Sequence, residues 1–375
     1  MHTLKATASS SLNLGPGTYI YSITPTSPGS LAAISSDDSL RVFDAAGLDR
    51  VAVVAAKTHG NGGVTSLRSY GAGQDQQLLV TGGRDGKVKL WDLRGGKGSA
   101  VAEMETGELA LLELDLSLWV IYRNAPLLSV ACCAETNTVV AGTELVSSQA
   151  VVAFWDIRSP GATRLQYVES HNDDVTELQY HPVRNNILLS GSTDGLVNIY
   201  DTTITDEDDA LVQVINHGSV HHAGFLGERT IFALSHDEDF SVHPATDPDE
   251  QAEEPKPIQF GDLRQPLNCE YIAQLCTGSQ AAYIAAGHKP EKRLDLVPLI
   301  PDPWRFDQAN IWRLPGAHGE EVVRSIYVDE QSHSVFTGGE DGFVRAWKAV
   351  DEDESPAKPS RPKEKKREKE RFRPY

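Results

Sequence analysis

The chain has little cysteine and methionine, with four and two residues among 375. The cysteines (Cys132, Cys133, Cys269 and Cys276) follow no paired spacing, so a disulfide framework is not predicted and a reducing, intracellular compartment is favoured. Asn-x-Ser/Thr glycosylation acceptors are missing from the sequence. The first residues, "MHTLKATASSSLNLGPG", lack the apolar run of a signal peptide.

Long hydrophobic runs are also missing. The longest apolar stretch, "LALLELDLSLWVIY" at 109–122, contains Glu113 and Asp115 and is shorter than the roughly 20 residues of a membrane-spanning helix. The sequence therefore predicts no membrane crossing. Hydrophobic residues still make up 40% of the chain, which is enough for a globular core.

Charge is distributed unevenly along the chain. The formal net charge is −19, but residues 361–375 hold eight Lys/Arg and three Glu, which leaves −24 for residues 1–360. Acidic runs at 206–209, 237–239 and 247–254 are expected in loops. Such a body should repel nucleic-acid phosphates and suit basic protein partners, although merely solubilising loops are an equal alternative.

An internal repeat organises the sequence. "TGGRDGKVKLWD" (81–92) shares its frame with "SGSTDGLVNIYD" (190–201), "TGGEDGFVRAWK" (337–348) and the shorter "SDDSLRVFD" (36–44). In the first three, a hydroxyl residue precedes an Asp by four positions and an aromatic follows it by six. The residues after each Asp-Gly alternate, which indicates a strand and excludes the helix that a phosphate cradle needs.

These residues resemble the WD repeat, in which each repeat forms a four-stranded blade of a β-propeller. The resemblance implies buried chains of Asp, His, Ser/Thr and aromatic residues, in which the carboxylate accepts turn N–H groups and the imidazole is held by hydroxyl and indole groups. The residues implied are His59, Thr81, Asp85 and Trp91; His171, Ser190, Asp194 and Tyr200; and His318, Thr337, Asp341 and Trp347.

The repeat count predicts an all-β, seven-bladed WD-repeat propeller, with six or eight blades as alternatives. The three inner strands of each blade are placed near 19–44, 64–92, 128–156, 174–201, 219–243, 270–299 and 322–348. After 348 the chain becomes too charged for a buried strand, so "TLKATAS" near the N-terminus is predicted to complete the last blade and remove exposed edges. Residues 1–350 are predicted to form one propeller domain and residues 351–375 a disordered basic tail.

The stretch 109–122 alternates Leu with acidic and polar residues, which is typical of a half-buried strand. We interpret it as the outer strand of blade two with an extension. A β-edge for a partner and a translated intron are the alternatives.

The order of motifs in blades three, four and seven, including "AVVAFWDIR", "SHNDDVTELQYHP" and "GAHGEEVVRS", resembles the WD-repeat-containing protein 89 family over most of residues 19–348. That family implies the propeller and little about activity.

Candidates for catalysis or cofactor binding are weak. "RGGKGS" (94–99) lacks the frame of a phosphate-binding loop and reads as an exposed turn. His217, His221 and His222 fall on the predicted first strand of blade five, where helical metal-ligand spacing has no meaning. The sequence therefore predicts no enzyme activity, cofactor or metal, and favours protein binding.

Two sets of residues are candidates for partner contact. Asp173, Asp174, Glu320 and Glu321 follow the structural His residues and are candidates to ring the channel mouth and capture Lys or Arg of a peptide, with ordinary turn residues as the alternative. "WDLR" and "WDIR" resemble the box by which some propellers bind the adaptor of cullin-type ubiquitin ligases, which would assign that contact to Arg94 and Arg158.

The favoured function is a monomeric, non-enzymatic platform for other proteins, without membrane or direct nucleic-acid contact. A ubiquitin-ligase substrate receptor is one alternative. An escort for a basic client, such as a ribosomal protein or histone, is the other. The basic tail resembles a nuclear localisation signal, which predicts an intracellular and possible nuclear location, with a solvated tail without an address as the alternative.

Overall fold

The computed structural model describes residues 1–60, 62–71, 77–95, 100–106, 124–246, 256–278 and 281–349. Its strands form seven antiparallel blades, numbered in chain order, whose innermost strands lie beside one another. We call the face with the turns between second and third strands the upper face, and the opposite face the lower face. The seven-bladed all-β prediction is confirmed.

The first strand, β1 (His2–Ser10), precedes blade one. Blades one to four then contain β2 (Ile20–Pro25), β3 (Ser30–Ser35), β4 (Leu40–Asp44) and β5 (Val51–Ala55); β6 (Val64–Tyr70), β7 (Leu78–Gly83), β8 (Lys87–Asp92) and β9 (Ala102–Glu105); β10 (Leu127–Cys133), β11 (Thr138–Thr143), β12 (Val152–Asp156) and β13 (Leu165–Tyr167); and β14 (Val175–Tyr180), β15 (Ile187–Ser192), β16 (Leu196–Asp201) and β17 (Leu211–Asn216).

Blades five to seven contain β18 (Val220–Phe225), β19 (Thr230–Ser235), β20 (Asp239–Pro244) and β21 (Ile258–Asp262); β22 (Tyr271–Thr277), β23 (Ala282–His288), β24 (Arg293–Ile300), β25 (Arg305–Phe306) and β26 (Trp312–Pro315); and β27 (Val323–Asp329), β28 (Ser334–Gly339) and β29 (Val344–Ala349). The helical elements are a 3-10 turn (Leu93–Gly95), α1 (Glu207–Ala210) and α2 (Arg264–Leu267). The inner strands of every blade lie within one residue of their predicted bounds.

Ring closure uses β1, as predicted. This strand pairs antiparallel with β29, from Leu4 opposite Ala349 to Ser10 opposite Val344. Its first residues also pair in parallel with β26, where the His2 ring stacks on Trp312 with centroids 4.5 Å apart. Strand β1 therefore covers the outer edge of β29 and joins blades six and seven into one sheet.

The apolar core lies between neighbouring blades. Between blades two and three, for example, Val80, Val88, Val139 and Trp155 pack together with almost no exposure. Neighbouring residues of the same strands, such as Val140 and Phe154, point to the opposite face and belong to the next cluster, so a blade packs apolar residues on both faces. Full burial of side chains of this size stabilises the fold by about 1.5–3 kcal/mol each.

Hydrogen bonds between a side chain of one blade and the main chain of its neighbour connect adjacent blades, and all but that of Glu238, on the turn between β19 and β20, join innermost strands. Thr65 Oγ1 donates to the Leu127 carbonyl over 2.7 Å. Equivalent bonds link Ser129 to Val175, Thr176 to Val220, Glu238 to Ile272, Tyr271 to Val323, Ser325 to Ile23 and Ser69 to Pro25. All seven blade interfaces thus carry a polar contact beside the channel.

Two sequence predictions were wrong in detail. The strand that pairs with β8 is Ala102–Glu105, so the outer strand of blade two precedes the stretch 109–122 that was assigned to it. The acidic run at 206–209 lies in α1 and not in a loop, because Asp206 caps the helix by accepting the Asp209 N–H and acidic residues suit a helix N-terminus.

Residues 107–123, 247–255 and 350–375 lie outside the described residues, so the two alternatives given for 109–122 and the predictions for 247–254 and the tail stay predictions. In the part of the chain that the structure describes, no helix has the length and apolarity needed to cross a membrane.

Candidate functional site

A buried hydrogen-bond chain supports the upper turn of blade two. Trp91 Nε1 donates to Thr81 Oγ1 over 2.9 Å, and this oxygen lies 2.8 Å from His59 Nε2. His59 Nδ1 lies 2.8 Å from Asp85 Oδ1, which also accepts the Lys87 N–H of the turn. Since His59 and Thr81 are buried, the chain satisfies polar groups that water cannot reach.

Blade four repeats this chain with Tyr in place of Trp. His171 lies 3.1 Å from Asp194 Oδ2 through Nδ1 and 2.6 Å from Ser190 Oγ through Nε2. The Tyr200 hydroxyl lies 3.4 Å from Ser190 Oγ and donates to Ser170 Oγ over 2.7 Å. Burial alone would raise the pKa of Asp194, but the bonds from His171 and neighbouring N–H groups outweigh it and lower the pKa.

Blade seven carries the third chain. Trp347 Nε1 donates to Thr337 Oγ1 over 2.9 Å, and His318 lies 2.8 Å from Thr337 Oγ1 and 2.7 Å from Asp341 Oδ1. Burial lowers the pKa of His318, while His318 and Arg345 overcome the burial of Asp341 and lower its pKa to about 2. A neutral imidazole with one donor and one acceptor therefore fits between hydroxyl and carboxylate. These residues hold the blade together through hydrogen bonds to one another.

The innermost strand of each blade has a β-bulge at its second or, in β22, its third residue. The pairing register shifts at one residue in each of β2, β6, β10, β14, β18, β22 and β27. The bulged residues are Tyr21, Thr65, Leu128, Thr176, His221, Ala273 and Arg324. A bulge bends a strand and redirects a side chain. These seven residues border the upper end of the central channel, which we call the channel mouth.

The cavity at the channel mouth has a volume of about 950 Å³, and polar and apolar groups line it in nearly equal measure. Upper-face turns contribute Arg84 and Lys289, and a bulge contributes Arg324. Glu144 pairs with Arg84 and Glu340 with Arg324. Both guanidinium groups are about half exposed, whereas the two carboxylates are 25% and 18% exposed, so the cations face solvent.

Three imidazoles lie in contact beside these cations. The His221 ring is 4.1 Å from that of His222 and 5.0 Å from that of His236, centroid to centroid. His222 Nδ1 lies 2.7 Å from Glu177 Oε1. Burial, together with His222, His236 and Arg324, lowers the pKa of His221 to about 3. The cluster therefore adds polar groups without negative charge.

Aromatic side chains complete the upper face near blades one and seven. Tyr19 and Tyr21 are 43% and 40% exposed, and Phe343 is 39% exposed with the Arg345 guanidinium 5.5 Å from its ring centroid. The Tyr271 hydroxyl at the channel mouth accepts the Val323 N–H over 3.0 Å. Exposed Tyr and Arg residues around a concave centre are the composition typical of binding hot spots.

The four acidic residues suggested for the channel mouth lie elsewhere on the upper face. Asp174 Oδ1 accepts the Leu145 N–H over 2.8 Å, and Glu320 lies 3.1 Å from Lys292 Nζ. Asp173 and Glu321 occupy the same entry segments, and none of the four lines the mouth among the described residues. The bulges that follow these entry segments, at Thr176 and Arg324, are what direct side chains to the mouth.

Arg94 and Arg158 lie on the lower face, after the third strands of adjacent blades. Arg94 holds Asp92 through Nε and Nη2 at 2.9 and 2.7 Å, and Arg158 holds Asp156 at 2.8 and 2.5 Å. Their side chains are 68% and 69% exposed. Arg264 makes the same contact with its neighbouring Asp262 on the upper face.

The sequence candidates for metal or phosphate binding have other contacts. His217 Nε2 lies 2.9 Å from the Asp239 carbonyl oxygen, while His221 and His222 belong to β18. Across the described ranges, no group of three or more His, Cys, Asp or Glu residues is placed to hold a metal ion. The first residues of "RGGKGS" form the end of a 3-10 turn, and 96–99 lie outside the described residues.

The bulge ring and the cations of the mouth were missed by sequence reasoning. A signal was present, because the mouth residue directly follows the first apolar residue of the innermost strand in each of the clear repeats, as in Val64-Thr65, Val175-Thr176 and Val323-Arg324. Aligning that position across repeats would have found the ring.

A ring of seven blades, three of which contain an Asp-His-hydroxyl-aromatic hydrogen-bond chain, defines a WD-repeat β-propeller. The family model "WD domain, G-beta repeat" matches residues 53–92 and 162–201. A solved structure, that of the WD40 β-propeller domain of Doa1, superposes with a TM-score of 0.61 at 14% identity over 92% of this chain and 96% of that chain, which shows the fold.

Relatives define the family. A Schizosaccharomyces pombe protein named "uncharacterized WD repeat-containing protein" is 32% identical over 72% of this chain and 79% of its own length. The chain therefore belongs to the WD repeat-containing protein family. A Saccharomyces cerevisiae protein of the same description is 40% identical, over 60% of this chain and only 56% of its own length. The WD repeat-containing protein 89 homolog of Dictyostelium discoideum is 24% identical over 88% and 82%, which confirms the resemblance found in the sequence.

Proposed function

We propose that this protein is a non-catalytic platform that binds other proteins at the channel mouth. WD-repeat propellers generally act as interaction scaffolds. The observation that supports this surface is the set of bulged residues, which directs Tyr21, His221 and Arg324 to one concave centre. The imidazoles of the three buried chains are 1–3% exposed, so they offer no group for catalysis.

Affinity capture with a matched pair of variants tests the proposal. Tyr21→Ser/Arg324→Ser changes two exposed residues of the mouth, and Arg94→Ala/Arg158→Ala changes two exposed residues of the lower face. We expect the mouth variant to lose partners that the wild type and the lower-face variant retain, as measured by quantitative mass spectrometry. Equal melting temperatures confirm that all three proteins are folded. If all three capture the same partners in equal amounts, the proposal is wrong.

A second candidate is a substrate receptor of a cullin-type ubiquitin ligase. The exposure of both Arg94 and Arg158 on one face supports it, although each guanidinium holds its own Asp. The same two variants test this function, with the loss now expected in the lower-face variant. Loss of the ligase adaptor from the lower-face variant alone would support this function, whereas its absence from the wild-type sample would contradict it.

The charge of −24 on residues 1–360 supports a third candidate, an escort for a basic client. Such binding should weaken strongly as salt rises from about 0.05 to 0.5 M, because exposed charges are screened. We also propose a nuclear location driven by the basic tail. A full-length fluorescent fusion with the eight Lys/Arg of 361–375 changed to Ser should lose nuclear enrichment relative to the wild type.

A further inference from the structure

The channel mouth differs in charge from the rest of the molecule. Residues 1–360 carry a net −24, yet the exposed charged groups around the channel are mainly cationic. The side chains of Arg68, Arg84 and Arg324 are 43%, 49% and 50% exposed. Lys289 adds a fourth cation at the rim.

Each of the two arginines of the mouth, Arg84 and Arg324, forms an ion pair with a glutamate. Glu144 binds Arg84 through Nη1, and Glu340 binds Arg324 through Nε and Nη2. Within the described residues, Nε and Nη2 of Arg84 and Nη1 of Arg324 have no further partner. Because the guanidinium fork is planar, a carboxylate that fixes one edge leaves the other edge ready for a second carboxylate.

Most carboxylates at the channel are already engaged. Glu177 is 16% exposed and binds His222, and Glu238 is buried with Oε2 accepting the Ile272 N–H over 3.1 Å. Burial raises the pKa of Glu238. Glu270 is the exposed carboxylate among the described lining residues, and it accepts the Lys289 N–H. The negative charge at the mouth is therefore mostly paired or buried, while the guanidinium groups of Arg84 and Arg324 face solvent.

We propose that the channel mouth binds an acidic segment of a partner protein, whose Asp or Glu carboxylates contact Arg84, Arg324 and the imidazoles of His221, His222 and His236. This inference rests on the proposed function and names the chemistry of the partner. An extended acidic segment fits because the mouth is open on the upper face and continues into a polar channel lined by Arg68 and Gln179.

Fluorescence anisotropy with a labelled octaglutamate peptide tests this chemistry. The eight Lys/Arg of 361–375 would bind the same peptide, so every protein is compared as the full chain with those eight residues changed to Ser. A protein of such negative charge repels octaglutamate unless a local site captures it. We expect measurable binding at about 50 mM salt and none of a Gly-Ser peptide of equal length.

Two variants with the same change in net charge separate local from long-range effects. Arg84→Glu/Arg324→Glu should weaken octaglutamate binding by about tenfold or more, while Arg94→Glu/Arg158→Glu on the lower face should change it by less than about twofold. Equal losses in both variants would overturn the proposal, as would no binding by the tail-substituted parent. Citrate that competes at concentrations as low as the peptide's would also contradict it, because the occupant would then be a small carboxylate.

The outcome also separates this inference from the proposed function. If Tyr21→Ser/Arg324→Ser loses partners in affinity capture but octaglutamate does not bind, the function stands and the acidic chemistry is wrong. If that variant keeps all its partners, the proposed binding surface itself is wrong.

Discussion

Blades two, four and seven differ from blade six in how they satisfy the polar groups near their upper turns. The first three place a His between a hydroxyl and an Asp. Blade six uses a buried ion cluster, in which Asp295 accepts hydrogen bonds from Arg293 and, at 2.8 Å, from Arg313. Both solutions support the same strand pairing, so the His-Asp chain is not required for a blade.

Blade five gives a third solution. Ser241 Oγ lies 3.0 Å from His217 Nδ1 and 2.8 Å from His243 Nε2, so two imidazoles share one hydroxyl. Asp237 is the turn aspartate that blade five shares with the clear repeats, and it does not take part in this contact. The comparison shows that buried polar groups near the upper turn of a blade need hydrogen-bond partners. The residue types that supply these partners can differ from blade to blade.

The largest effect is expected in blade six. Asp295→Ala would leave the buried Arg293 without its buried charge partner and should lower the free energy of unfolding by about 3–5 kcal/mol. Chemical denaturation measures the change. Glu291→Gln is the matched control, because Glu291 binds the same Arg293 from a half-exposed position and should cost less than about 1 kcal/mol. Similar costs for the two variants would contradict the idea of a buried ion cluster.

The next effect is expected in blade seven. Thr337→Val keeps the shape of the side chain but leaves His318 Nε2 and Trp347 Nε1 unpaired in a buried site, which should cost about 2–4 kcal/mol. Chemical denaturation again gives the value. Thr3→Val on the exposed part of β1 should change stability by less than about 0.5 kcal/mol. A Thr337→Val protein as stable as this control would show that the chain is not a stabilising unit.

Acidification should destabilise the whole ring. Burial is the main cause of a lowered pKa in His181, His221, His243 and His318. The folded state keeps them neutral, whereas the unfolded chain takes up protons below about pH 6.5, so this stability is present above that pH and is lost as the pH falls.

Melting temperatures between pH 7 and pH 5 check this prediction. His221, whose pKa is lowered to about 3, should account for a loss on the order of 1–2 kcal/mol by pH 5. His221→Phe should therefore flatten the pH dependence, while a substitution of the exposed His333 by Gln should leave it as in the wild type. Equal slopes in all three proteins would contradict the prediction.

The smallest effect is expected at the aromatic position of blade four. Tyr200→Phe removes the hydroxyl that donates to Ser170 Oγ, but His171 still pairs with Ser190 Oγ at 2.6 Å. We expect a loss of about 1 kcal/mol. A loss of stability as large as that of Thr337→Val would contradict this prediction. The Tyr200 hydroxyl would then stabilise its hydrogen-bond chain as much as the central hydroxyl of blade seven does.

The strand pattern could be predicted because it depends on local chemistry. Alternating apolar residues and Asp-Gly turns lie within a dozen positions of one another, as at 81–92 and 337–348, and they gave strand bounds accurate to one residue. The need to cover an edge after 348 predicted the pairing of β1 with β29. The outer strand of blade two was misplaced because the stretch 109–122 has the stronger period-two pattern, while Ala102–Glu105 is short.

The candidate site could be predicted only in part. Repeat spacing and the family resemblance together gave four residues of each of the three buried chains, but the acidic residues were expected at the mouth because they lie in loops just after the structural His residues. The mouth is formed by bulges, which depend on the register between paired strands and not on the composition of one segment. The pairing of Arg84 with Glu144 joins residues 60 positions apart on two blades.

The sequence by itself determined the number of blades, the inner strands and the chains that hold three of them, because each depends on contacts within one repeat. Tertiary structure alone decided which side chains face the channel, how β1 joins blades six and seven, and that cations gather at the centre of an acidic protein. These features arise where different repeats meet, and the strength of a contact between distant residues depends on distances that only the closed ring sets.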